Sequence, residues 1–295
     1  MKPGRSGRRL WFGLLTVLGL AERGVFIPHR YAGRWPRAGD RPPYPAAEAL
    51  FAAHAPAFRA VLALIEDYGE DLLRIGADAP APAPRWGQSW FPRLDAAVAY
   101  ALIRAHAPGR ILEVGSGHST RFFARAVADG GLASRILAID PAPRAVLEGL
   151  PLELRRASLQ EVLGGEGPAP FEALVPGDLL SIDSSHILQP GSDVDMLLGR
   201  VLPALPPGAL VQVHDIFLPD DYPPSWDWRG YNEQLGVLPL LLGGAFEVIF
   251  SSRYAVTRMP DELARGPAAR LPLGRAGEGE VFESSLWLRR LGNTP

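Results

Sequence analysis

Residues 110–120, Arg-Ile-Leu-Glu-Val-Gly-Ser-Gly-His-Ser-Thr, constrain the fold of this chain more than any other stretch. An apolar run carries an acid, Glu113, and is followed by two glycines one residue apart. Ser119 and Thr120 then supply residues that can open a helix. The pattern predicts a strand, a tight loop and a helix, with Glu113 at the lip of the strand. Glycine lacks a Cβ, so Gly115 and Gly117 tolerate unusual backbone angles and let a ligand approach the main chain closely. A second apolar run, Arg135-Ile-Leu-Ala-Ile-Asp140, also ends in an acid. In nucleoside-binding α/β sheets an acid at that place holds ribose hydroxyls. Together the two runs predict a ribose-bearing ligand at this sheet edge.

The identity of that ligand turns on charge. The dinucleotide fingerprint G-x-G-x-x-G needs a third glycine for close helix–strand packing around a pyrophosphate. Here that position is Thr120. Glu113 stands two residues before the first glycine, where a carboxylate would repel a pyrophosphate but attract the ammonium of an amino acid. S-adenosylmethionine combines ribose, adenine and an amino acid without phosphates. At this point the chain resembles the class I S-adenosylmethionine-dependent methyltransferases, whose first motif has the form E/D-x-G-x-G. The resemblance implies that Glu113 and the loop of Gly115, Ser116, Gly117 and His118 hold the methionine end. It also implies that Asp140 holds the ribose and that Asp183 lines the same cofactor pocket.

Net charge and cysteine content exclude several alternatives. The formal net charge is −2 over 295 residues, so no basic field points to nucleic acid. No cysteine is present, which excludes disulfides, thiolate metal sites and cysteine nucleophiles. Near the start, Arg8-Arg9 precede the apolar segment Leu10–Ala21. A dozen apolar residues falls short of the roughly 20 needed to span a bilayer, and no A-x-A-type cleavage site follows. A docked or interfacial helix is the expectation; membrane contact by residues 10–21 is the less favoured reading. The expected location is cytoplasmic, with peripheral membrane association as the lesser alternative.

The remaining patterning divides the chain into an N-terminal helical extension with a Pro-rich linker, residues 1–84, and a cofactor-binding domain, residues 85–295. Apolar residues recur at helical spacing over 45–75. The alternating prolines of residues 77–84 forbid a helix. An amphipathic helix is expected from about Leu94 to His106. From Arg110 onward, strands are predicted at 110–115, 135–140, 152–156, 178–183, 209–214, 245–250 and 284–289. Helices fit at 119–129, 142–149, 158–163, 193–202 and 231–242. This alternation argues for a doubly wound, mostly parallel Rossmann-like α/β sheet with helices on both faces. The last run reads as an antiparallel edge. About seven strands with such a terminal partner is what the methyltransferase resemblance implies.

Ligands sit outside the carboxyl ends of strands in such sheets. Three of the six histidines, His118, His186 and His214, fall just past predicted strand ends beside Asp183 and Asp215. Methyl transfer from a sulfonium is an in-line displacement in which alignment supplies much of the rate. A hydroxyl acceptor must also lose its proton. His186 and His214 are the candidate bases, with Asp215 orienting them. Alternatively, Asp183 and Asp215 could hold a divalent cation that acidifies the hydroxyl. Segment 178–215 resembles metal-assisted O-methyltransferases of the catechol and macrocin types, which carry an acid after the fourth strand and two adjacent polar ligands after the fifth. This chain has His214-Asp215 at the latter place, and imidazole suits transition metals better than magnesium.

A loop follows, from Phe217 to Tyr231, rich in proline and bearing Tyr222, Trp226, Trp228 and Tyr231. It reads either as a lid or substrate wall or as a hydrophobic plug. Gln88, Trp90 and Phe91 could close the pocket from the opposite side. The expected activity is O-methylation of a small-molecule or sugar-containing metabolite, with no nucleic-acid partner and a homo-oligomer left open. Two other readings stand beside it: a metal-dependent hydroxylase on the same sheet, and a non-catalytic S-adenosylmethionine-binding protein.

Overall fold

The computed structural model describes residues 5–272 and 280–292. The chain parts into two compact units: Tyr44–Pro219 with Asn232–Pro295, and Met1–Pro43 with Asp220–Tyr231. The larger unit contains the sheet. Its strands are β1 (Arg110–Val114), β2 (Arg135–Ile139), β3 (Glu153–Arg155), β4 (Leu179–Ile182), β5 (Leu210–Val213), β6 (Phe246–Ser251) and β7 (Leu286–Arg290). Their spatial order is β3-β2-β1-β4-β5-β7-β6.

Strands β1 to β5 are parallel to their neighbours. Every residue of β4 and β5 is buried, as expected of central strands covered on both faces. β7 runs antiparallel, but it is not the edge that its late position suggested. It lies between β5 and β6 and pairs with both. The helix expected at 142–149 is absent, and turns occupy the segment.

The division expected at 84/85 is not where the compact units part. The helix Pro45–Asp67 places Phe51, Phe58 and Ile65 on one face, all fully buried. Phe58 packs edge-on against Phe250 of β6 (5.6 Å between ring centroids) and against Tyr254 (5.6 Å). Residues 44–84 therefore belong with the sheet. This helix is also long and apolar enough to cross a membrane by composition, yet its aromatic face is spent on the core.

In the smaller unit, a helix covers Arg5–Val17 and a 3₁₀ turn covers Pro224–Arg229. Arg41 pairs with Asp221 at 2.6 Å, and the Arg229 guanidinium lies 4.2 Å from the centre of the Trp226 ring. Tyr222 and Trp226 both meet Tyr231 edge-on. The aromatic loop thus folds together with the N-terminal segment.

Because Phe58 meets three other aromatic rings, those of Phe51, Phe250 and Tyr254, Phe58→Ala is expected to cost about 3–5 kcal/mol of unfolding free energy. Chemical denaturation of parent and variant measures it. A cost below about 1 kcal/mol would mean that the helix is a dispensable extension after all.

Candidate functional site

The carboxyl ends of β1, β4 and β5 meet in one row. Val114 stands opposite Ile182, and Ile182 opposite Val213. The ladder continues one residue further. Asp183 N–H donates to Val114 O, and His214 N–H to Ile182 O, both at 2.8 Å. Gly115, Asp183 and His214 therefore leave the sheet side by side. Between β1 and β4 the strand order reverses, which is where open α/β sheets bind ligands.

Glu113 does not do what the sequence suggested. It is fully buried, and its oxygens accept hydrogen bonds from Ser119 Oγ (2.5 Å) and Thr120 Oγ1 (2.6 Å). Thr120 Oγ1 in turn accepts Gly117 N–H at 2.9 Å. Burial pushes the Glu113 carboxyl up to about 8, only partly offset by the two hydroxyl donors. The side chain ties β1 to the start of the helix His118–Asp129; it does not present a charge to a cationic ligand tail.

The two loop glycines differ. Gly115 has φ +81°, and a Cβ there would lie 1.9 Å from the Asp183 carbonyl oxygen, so no other residue fits. Gly117 is extended, and a Cβ on it would touch nothing in the chain. Its bareness serves whatever approaches the loop from outside.

Asp140 closes the far side of this loop. Its Oδ2 accepts Ser116 N–H (2.7 Å) and Ser116 Oγ–H (3.0 Å), while Oδ1 accepts Ala142 N–H (2.7 Å). A carboxylate has about four acceptor positions, which leaves one on Oδ1. His118 opens the helix with its Nδ1 buried and unpartnered. Burial, helped by Arg121 and Arg85, pushes this imidazole down to about 4, so it is neutral at physiological pH.

Past β4 and β5 lies a dense cluster of charge. His186 Nε2 is 3.1 Å from Asp183 Oδ1 and 3.5 Å from Asp215 Oδ2, and its Nδ1 is 2.8 Å from Glu233 Oε2. His214 Nε2 is 3.3 Å from Asp95 Oδ2. Its Nδ1 is buried without an aligned partner, 3.4 Å from Asp215 Oδ1 and 3.7 Å from Asp183 Oδ1. One donor each from Asp183, His186 and Asp215 lies within 4.8 Å of the others. Among the described residues, only Ala107, His186 and Asp215 adopt positive φ without being glycine. Two of those three sit in this cluster, held by the surrounding bonds.

The same contacts place both candidate bases among carboxylates. Burial alone would lower both imidazoles. For His186, bonds to Asp183 and Glu233 and the charge of Asp215 outweigh it; for His214, the charges of Asp215 and Asp183 and the bond to Asp95 do. Both are held well above their ordinary value and carry protons near neutrality in this state.

Sequence reasoning missed Asp95, Glu233 and Ser284. Asp95 is a fully buried acid in an otherwise apolar helical face, and that mismatch was its only signal. It accepts Ser284 N–H (3.1 Å) and Ser285 N–H (2.9 Å), while Ser284 Oγ donates to Asp215 at 3.0 Å. Gln88 does not close a pocket. Its Oε1 accepts the Trp90 and Phe91 N–H groups (2.8 Å each), shaping a turn that sets Phe91 5.4 Å from the His214 ring.

Residues 112–216 match a family model described as a methyltransferase domain. No curated protein sequence matches the chain. Similar solved structures include the branched-chain polyamine synthase of Thermus thermophilus (19% identity over 98% of this chain and 80% of that one, TM-score 0.41). Another is the S-adenosylhomocysteine-bound methyltransferase PaMTH1 of Podospora anserina (15% identity, 91% and 100% covered, TM-score 0.41). A third is an O-methyltransferase of Bacillus cereus in complex with S-adenosylhomocysteine (14% identity, 64% and 82% covered, TM-score 0.34).

Two outcomes check this geometry. Gly115→Ala is expected to destabilise the fold itself, whereas Gly117→Ala should leave the melting temperature nearly unchanged and weaken ligand binding at the loop. Glu113 ionises near 8 when folded and near 4.5 when unfolded. The native state therefore binds more protons between those values, and stability falls as pH rises through that window. Denaturation midpoints across the window should show a shallower fall in Glu113→Gln than in the parent.

Proposed function

We propose that the chain, whose residues 112–216 match a methyltransferase-domain model, transfers the methyl group of S-adenosylmethionine to an oxygen of a small-molecule acceptor. One observation carries this reading: the glycine loop after β1 and the charge cluster after β4 and β5 abut, Gly115 against the backbone of Asp183. A cofactor over the loop and an acceptor at the cluster would be neighbours.

The loop suits the cofactor by its own geometry. Gly117 leaves the main chain bare, Asp140 Oδ1 keeps an acceptor position for a ribose hydroxyl, and the buried His118 Nδ1 lacks a partner. With Glu113 sealed inside the turn, the amino-acid end would rest on the main chain of Gly115 to His118. Calorimetric titration tests this directly. S-adenosylmethionine and S-adenosylhomocysteine are expected to bind and NAD to fail, with Asp140→Asn at least tenfold weaker. NAD binding in preference to both would overturn the assignment.

The cluster suits a divalent cation. Asp95, Asp183, Asp215 and Glu233 face two imidazoles, so the cluster keeps a formal charge of −2 even with both rings protonated, with all of its carboxylates except the 42% exposed Asp183 largely buried. Uncompensated buried charge is costly. Asp183, His186 Nε2 and Asp215 would be the ligands, with the unpartnered His214 Nδ1 as a fourth. Glu233 on His186 Nδ1 and Asp95 on His214 Nε2 supply the carboxylate partners by which ligating imidazoles are oriented. The mixed imidazole–carboxylate set favours a transition metal over magnesium. When bound, such an ion lowers the pKa of a coordinated hydroxyl, the proton problem of an oxygen acceptor.

Exhaustive chelation is expected to abolish methyl transfer, with recovery by a transition-metal ion and not by magnesium. Glu233→Gln should weaken cation affinity about 10–100-fold, measured by titration independently of turnover. Unchanged turnover after chelation would remove the cation from the reading. A hydroxylase reading draws on the same donors, since two histidines and a carboxylate are the set of non-haem iron oxygenases. Product mass separates them: a gain of a methyl group supports transfer, a gain of an oxygen atom the alternative.

A further inference from the structure

The smaller unit carries a face that the methyltransferase chemistry does not use. Among the described residues, 19 large hydrophobic side chains are exposed, and 11 of them lie within residues 10–35. In the helix Arg5–Val17 the exposed set is Leu10 (66%), Trp11, Leu14 and Val17, spaced as one apolar stripe. Such a stripe normally faces a core. Here Phe12 and Leu15 are the half-buried residues, and the stripe looks outward. Leu18, Val25 and Phe26 continue it beyond the helix, each more than 60% exposed. Patches of this extent mark contact surfaces.

Charge identifies the partner. Residues 1–43 hold nine basic residues against two acidic, a net charge of +7. The rest of the chain holds 21 basic against 30 acidic, a net charge of −9. An anionic surface would therefore attract residues 1–43. Arginines lie beside the apolar residues: Arg23 over the Phe12 ring, and Arg30 and Arg34 over Tyr31. An outward apolar stripe with tryptophan, flanked by arginine, is what lies in the headgroup region of a membrane.

We propose that residues 5–35 form a reversible docking surface for an anionic lipid bilayer, with the helix lying in the plane of the interface. This revises the weight that sequence reasoning gave to residues 10–21, whose length argued only against spanning. The stripe is too short to cross a bilayer, but lying in the interface has no such length requirement. The inference does not depend on the methyl-transfer reading.

Flotation of the full chain with phosphatidylcholine vesicles, with and without about a third phosphatidylglycerol, tests it. At least about tenfold more protein is expected on the anionic vesicles at low salt, and the excess should vanish at high salt. Leu10→Glu with Leu14→Glu should abolish binding, whereas Val175→Glu with Leu242→Glu, on the larger unit, should not. Arg30→Glu with Arg37→Glu leaves the stripe intact and should cut anionic-vesicle binding by about tenfold, so the test survives if the leucine variants misfold. S-adenosylmethionine titration should be the same in all of them. Equal binding to both vesicle types, or none to either, overturns the proposal. So does a concentration-dependent dimer in sedimentation that the leucine variants abolish, since a second copy would then cover the face.

Discussion

Four carboxylates surround two imidazoles at the ends of β4 and β5, and the larger unit is organised around that imbalance. Charge at this density is not tolerated away from water unless each group is paired. Asp95 reaches in from the helix Arg93–His106, Glu233 from the start of the helix Gln234–Leu242, and Ser284 from the segment leading into β7. Elements distant in sequence are thus pinned to one spot. His186 and Asp215 hold left-handed backbone angles there, a cost that the surrounding bonds must offset.

The glycine loop is coupled to this cluster by contact and not by charge. Glu113, neutralised by burial, acts as an internal bracket between β1 and the helix that follows, through Ser119, Thr120 and Gly117. The loop can then lie flat against the backbone of Asp183, which only a glycine at 115 permits. Glycine loop and charge cluster share one wall. A shift in either would be felt by the other at once.

Much of this was legible in the sequence, for a local reason. Apolar runs are short-range patterns, all seven strands fall where such runs are, and those of β2, β4 and β5 lead directly into an acid or histidine. Asp140, Asp183, His186, His214 and Asp215 stand at strand ends as expected. The misreadings share a different cause. The role of Glu113 depended on which way its side chain turned, and the presence of Ser119 and Thr120 two and three residues past the second glycine hinted at it only weakly. Asp95 and His214 are 119 residues apart, and His186 and Glu233 are 47 apart, so no local pattern could join them. The helix Pro45–Asp67 looked separable because a proline-rich stretch follows it, whereas its aromatic face commits it to β6. The expected helix at 142–149 did not form; bends and a turn occupy the segment.

Nitrogen chemical shifts of the His186 and His214 rings, recorded on the full chain near neutral pH before and after addition of a transition-metal ion, bear most directly on the charge cluster. Both rings should be doubly protonated at first, held so by the four carboxylates. Each should lose a proton as the ion binds, at the nitrogen that does not face Glu233 or Asp95. Rings that are neutral from the outset, or that stay unchanged at saturating ion, would contradict a cation site built from these residues.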